Sequence, residues 1–120
     1  MNYKTHNETG INVNGTSFQG YITCDFEYLV ELFGEPICWV DDKTDWEWCI
    51  DLGNGHVATI YNWKNGPGYG IPAAPYDITR WHIGGRNGNA ALAVQAIVKG
   101  GEWFEFVSDV STHRPLFFAR

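Results

Sequence analysis

Residues 46–63 read WEWCIDLGNGHVATIYNW, and this stretch decides the fold. From 46 to 52 the chain alternates, with Trp46, Trp48, Ile50 and Leu52 on one side and Glu47, Cys49 and Asp51 on the other. A period of two puts the first set on a buried face of a β-strand and the second set on its reverse. Gly53-Asn54-Gly55 supplies residues that accept positive φ, and 56–63 is rich in β-branched and aromatic types. Two such strands around such a turn predict a β-hairpin.

Working outward, Phe18, Tyr21 and Ile22 predict a short strand over 17–23, and Asp25 stands where an N-cap would open a helix over 26–33. Phe26, Leu29, Val30 and Phe33 fall at i, i+3, i+4 and i+7, a single apolar stripe, with Glu27 and Glu31 on the solvent side and Gly34 and Pro36 as stops. The breakers of 64–72, followed by Pro75, predict a long loop around Tyr69. A strand is expected over 78–83, ended by Gly84-Gly85, and Asn87 or Asn89 caps a helix over 90–98 that Gly100 stops. A last strand is expected over 103–107, and 115–120 reads as an apolar tail. The order is β-α-β-β-β-α-β. It predicts one α+β domain over 17–120, a mostly antiparallel sheet with two helices packed on one face. Residues 1–16 are expected to form an irregular or mobile lead-in.

The whole chain of 120 residues is long enough for one hydrophobic core and too short for two. A hydrophobic share of 44% with 16% aromatics rules out a disordered chain. Fourteen acidic residues against eight basic ones give a net charge of −6, which disfavours broad binding to duplex nucleic acid or an anionic membrane. Cys24, Cys38 and Cys49 form no C-x-x-C pair, and His6, His56, His82 and His113 are scattered, so neither a disulfide framework nor a metal site is signalled. The N-terminus lacks an apolar targeting core, and the apolar run 89–98 is too short to span a bilayer, so a reducing cytosol is the expected location.

Two segments concentrate chemistry. Residues 80–86, Arg80-Trp81-His82-Ile83-Gly84-Gly85-Arg86, hold two of the four arginines. Arg80 and His82 share a strand face, and Gly84 and Gly85 expose backbone N–H groups that Arg86 can join as an anion cradle. The glycine spacing fits neither a Walker loop nor a dinucleotide fingerprint, so no cofactor is called for; a strand end with two packing glycines explains the segment as well. Lys64 and Tyr69 can lie over such a cradle, the tyrosine as a stacking face and the lysine as a charge, or the loop can be a wide turn whose tyrosine packs back on the sheet. The second segment carries Asp41, Asp42, Asp45 and Glu47. It reads as a solvated turn entering a strand, as a protein-binding acidic surface, or as the source of a general acid/base pair, Asp45 and Glu47, of which a small hydrolase would use either one with His82.

The strings Lys43-Thr44-Asp45-Trp46-Glu47-Trp48, Val57-Ala58-Thr59-Ile60-Tyr61-Asn62-Trp63-Lys64 and Trp81-His82-Ile83-Gly84-Gly85 resemble a K-T-D-x-E-W, A-T-I-Y-N-x-K and W-H-I-G-G pattern found in a group of small phage-encoded accessory proteins. The resemblance spans about residues 17–100. It implies the cytoplasm of an infected bacterial host and a counter-defence role. Such a role takes two forms: sequestering a nucleotide immune signal, or inhibiting a host defence nuclease in the manner of an anti-CRISPR protein. Under the first, the chain is a non-catalytic binder of a small nucleotide-like ligand through Arg80, His82, Arg86, Lys64, Tyr69, Gly84 and Gly85. Under the second, Asp41, Asp42, Asp45 and Glu47 cover a basic groove of the host protein. A small hydrolase is the third reading. The apolar residues Leu116, Phe117 and Phe118 favour a homodimer, because a lone copy must otherwise bury them.

Overall fold

The central hairpin forms because its two strands each bury one face and its turn accepts positive φ. In the computed structural model, which describes residues 3–103 and 117–119, the strands are β4 (Trp46–Gly53) and β5 (His56–Tyr61). Asn54 and Gly55 both have positive φ, 51° and 79°, as a type I′ turn demands. Around this pair the antiparallel sheet runs β1 (Lys4–Thr5), β4, β5, β6 (Arg80–Gly85), β2 (Ser17–Thr23), and β3 (Ile37–Cys38) joins the same edge of β4 as β1. A separate pair, β7 (Gly101–Trp103) and β8 (Phe117–Ala119), follows the second helix.

Helices α1 (Phe26–Phe33) and α2 (Asn89–Val98) supply the other half of the core. Leu29 and Phe33 of α1 and Ala90, Ala91, Ala93, Val94 and Ile97 of α2 are buried in one cluster with Trp48, Ile50, Ile60, Trp81 and Ile83. By register, Trp48 lies opposite Ile60 and Ile60 opposite Ile83, so these side chains belong to one face of the sheet. Trp48 and Trp81 meet edge to face at 5.3 Å, and their indole N–H groups donate to Gly34 O (2.8 Å) and Cys24 O (3.0 Å). Burying a Trp with its polar handle satisfied is what makes it a stable core residue. The fold is therefore α+β with an open, antiparallel sheet and the helices on one face.

Several local details differ from the sequence reading. The strand expected over 78–83 runs from Arg80 to Gly85, so that Gly84 and Gly85 are its last two paired residues, opposite Thr59 and Ala58, and not a terminating loop. The irregular residues of the lead-in are held at several points: Lys4–Thr5 pairs with β4, the Tyr3 ring packs on Phe33 at 5.3 Å, Asn7 Nδ2 donates to Phe33 O and Glu35 O, and Arg86 donates to Asn12 O and Asn14 O. Asp25 occupies the N-cap of α1 without a side-chain hydrogen bond, whereas Asn87 Oδ1 accepts from Asn89 N–H (2.9 Å) at the start of α2. The expected strand 103–107 overlaps β7 at Trp103 alone, with 104–107 outside the described residues. Of the apolar tail, 117–119 forms β8, with 115, 116 and 120 likewise outside them.

Candidate functional site

The reverse face of the sheet carries no helix among the described residues, and its register sets four side chains in a row. Glu47 pairs with Tyr61, Tyr61 with His82, and His82 with Tyr21 across β4, β5, β6 and β2. At the spacing of neighbouring strands the row is roughly 14 Å wide. One step along, Cys49, Thr59, Gly84 and Phe18 make a second row. Phe18, Tyr21, Tyr61, Trp63 and His82 line an open cleft of about 360 Å³. A more polar pocket of about 200 Å³ shares Tyr61 and Trp63 with it and adds Glu47, Thr59, Ser17 and Gly84.

His82 is the hub of the aromatic part. Its ring lies 4.9 Å from Tyr21, 5.3 Å from Phe18 and 5.4 Å from Tyr61, and its buried Nδ1 has no hydrogen-bond partner among the described residues. Burial, and then the charge of Arg80, hold its pKa below the usual 6.5, so the ring works as an uncharged aromatic surface at neutral pH. Trp63 stands at 84° to Tyr61 with centroids 6.3 Å apart. A flat ring stacked on either one meets the other edge-on, both favourable aromatic arrangements.

Cations gather at one end of this cleft. Because β4, β5 and β6 are antiparallel, the start of β4, the exit of β5 and the start of β6 lie at the same end of the sheet. Lys43, Lys64 and Arg80 belong to these positions. Lys43 Nζ and Lys64 Nζ sit 5.7 and 5.8 Å from the Trp63 ring centroid, and the Arg80 guanidinium lies 3.7 Å over Tyr21. Lys64 Nζ is also 5.9 Å from Tyr69.

A buried polar knot fixes that end. Asn62 Oδ1 accepts from the N–H groups of Asp45 (2.8 Å) and Trp46 (2.9 Å), and Asn62 Nδ2 donates to Asp45 Oδ2 (2.9 Å) and Asn65 Oδ1 (3.1 Å). Asp45 Oδ1 accepts from Gly68 N–H (2.8 Å), which ties down the loop carrying Tyr69. Gly66 must be glycine here, because a Cβ would collide with Asp45 Oδ2. Buried polar groups so completely paired position their neighbours rather than react.

The structure thus brings together only part of what the sequence put forward. Arg80, His82 and Gly84 share the cleft face, with Lys64 and Tyr69 at its cationic end. Arg86 stands apart: Nε donates to Asn14 O (3.1 Å), Nη1 to Gly55 O (3.2 Å) and Nη2 to Asn12 O (2.9 Å), so it clamps the lead-in to the hairpin turn. Gly85 faces the helices, where a Cβ would meet Ala90 Cβ, and one at Gly84 would meet Thr59 Oγ1. The two glycines are packing positions in a ladder, not a loop cradle.

The acidic group also divides. Asp45 is 1% exposed and unavailable to a partner or as an acid/base group. Asp41 Oδ1 accepts from the N–H groups of Lys43 and Thr44, both at 2.8 Å. Asp42 is exposed, and Glu47 is half-buried in the cleft. The sequence reading missed Phe18, Tyr21, Tyr61, Trp63 and Thr59 as site residues. The available signal was strand alternation, which puts Tyr61 and Thr59 on the face opposite Ile60.

Cys24 and Cys49 are buried thiols, pushed up to about 11 and about 12, in each case first by burial and then by a neighbouring carboxylate, Asp25 or Glu47. At neutral pH neither is a nucleophile. No group of three or more His, Cys, Asp or Glu side chains able to hold a metal ion occurs among the described residues. No helix among them is long and apolar enough to cross a membrane. No family model, curated protein or solved structure matches the chain.

Proposed function

We propose that the chain is a non-catalytic binding protein for a small nucleotide-like ligand, held in the aromatic cleft of the sheet face opposite α1 and α2. The observation that carries this reading is the joining of an uncharged aromatic pocket to three cationic side chains at one end. A base stacks on the aromatic surface while its phosphate meets Lys43, Lys64 or Arg80, the combination of stacking and charge that nucleotides require. In the phage setting that the sequence resemblance implies, such a protein withdraws a nucleotide immune signal by mass action.

Thermal unfolding against a panel of mono-, di- and cyclic nucleotides tests it. A ligand at one hundred times its Kd adds about 2.7 kcal/mol, a shift of several degrees for a domain of this size. The shift should be lost in Trp63→Ala and reduced in Arg80→Ala, and the nucleotide should be recovered intact by mass spectrometry. No shift with any nucleotide sinks the reading.

One observation favours the protein-inhibitor alternative. Trp39 is 70% exposed at a φ of 59°, beside Val40, Asp41 and Asp42. An exposed tryptophan with an acidic rim suits a basic partner such as a defence nuclease. This reading predicts that Trp39→Ala and Asp42→Lys relieve nuclease inhibition, while Trp63→Ala leaves it intact.

A further inference from the structure

The aromatic pocket explains why a flat ring would bind, but not which ring. Beside it stands Glu47, half-buried and lining the polar pocket that shares Tyr61 and Trp63 with the aromatic one. The one hydrogen bond its carboxylate takes among the described residues is the long contact from Cys49 Sγ, 3.8 Å. Burial raises its pKa, the Cys49 contact opposes that, and the charge of Asp41 adds to it. A carboxylate accepts hydrogen bonds and donates none, and leaving one poorly satisfied away from water is costly. Glu47 therefore sets an acceptor-only group in the cleft, two strands away from Arg80 on β6.

We propose that Glu47 reads the edge of the bound ring and selects guanine, whose ring N1–H and exocyclic N2 amine offer two adjacent donors to a single carboxylate. This rests on the nucleotide reading above and narrows it. Adenine and cytosine each present one amino donor beside a ring nitrogen that is itself an acceptor. Uracil presents one N–H flanked by two carbonyl oxygens. Each of these sets a lone pair against the carboxylate, whereas guanine forms two parallel, charge-assisted hydrogen bonds. A guanidinium ligand offers the same two donors, but the positive charges of Lys43 and Lys64 over Trp63 and of Arg80 over Tyr21 disfavour a cation and suit a phosphate.

The test is calorimetric titration of the full chain and of Glu47→Gln with GMP, AMP, IMP and XMP. The wild-type chain should bind GMP at least about tenfold tighter than AMP, the discrimination expected of a bidentate base contact. IMP, which keeps N1–H and lacks the amine, should fall between them. In Glu47→Gln the amide donates one hydrogen and accepts another, matching the N1–H and C2 carbonyl of xanthine, so the order of GMP and XMP should invert. Unchanged urea unfolding cooperativity confirms that the variant is folded. If GMP and AMP bind wild type equally and the substitution leaves the GMP to XMP ratio alone, the guanine assignment is overturned while nucleotide binding stands. If no nucleotide binds wild type, both fall together.

Discussion

Glu47 and His82 flank Tyr61 in one row, and burial acts on the two in opposite senses. For His82 the folded value lies below 6.5, so between the two values the unfolded chain holds more protons. Its contribution is present in full above about pH 6.5 and is lost as pH falls toward the folded value. For Glu47 the folded value lies above 4.5, so between the two the folded chain holds more protons. Its protonated form favours the fold below pH 4.5, and that advantage is lost as pH rises through the folded value. Glu47→Gln should therefore be more stable than wild type at pH 7, with the gain vanishing as pH falls toward 4.5. His82→Phe should flatten the loss of stability on acidification below pH 6.5. Urea midpoints measured from pH 4 to pH 8 give both curves, and equal midpoints for wild type and Glu47→Gln at pH 7 would contradict the first. A carboxylate that costs stability in the free protein is explicable where a ligand satisfies it, a familiar conflict between stability and function.

At the scale of elements, β6 shows what alternation can and cannot tell. Period two correctly separates Trp81 and Ile83 from Arg80 and His82, and the hairpin turn is legible because Asn54-Gly55 has few other uses. Gly84-Gly85 misleads, because glycine serves both as a loop former and as the residue that lets two surfaces touch. Here Gly85 admits α2 through Ala90, and Gly84 admits Thr59 of β5, requirements that belong to neighbours distant in sequence. Arg86 misleads for the same reason. Its three acceptors are carbonyls of Asn12, Asn14 and Gly55, far away in the chain and without any signature. Arg86→Ala should leave GMP affinity within about twofold of wild type while lowering stability by about 1 kcal/mol, less than buried charge-assisted bonds would cost because the side chain is exposed. Loss of nucleotide binding in a folded Arg86→Ala variant would return Arg86 to the site.

For the whole molecule, the α+β architecture is readable from local patterns because each element carries its own period and its own stops. The cleft is not, since it arises from the lateral register of four strands, and no single strand states what stands beside it. The same scale governs the electrostatics. A net charge of −6 repels a nucleotide at long range, whereas Lys43, Lys64 and Arg80 attract its phosphate at short range. Raising salt from 0.1 M to 1 M shortens the screening length from about 10 Å to about 3 Å, which removes the long-range repulsion more completely than the contacts. The affinity of wild type for GMP should therefore change little over this range, the two effects offsetting each other. In Lys43→Ala/Lys64→Ala two positive charges are gone, taking the net charge from −6 to −8, and the repulsion dominates. Its GMP affinity should start lower than that of wild type at 0.1 M and rise with salt. A variant whose GMP affinity matches that of wild type at 0.1 M and changes as little with salt would show that the phosphate does not meet these lysines and would leave Arg80, among the described residues, as the cation of the cleft able to hold it.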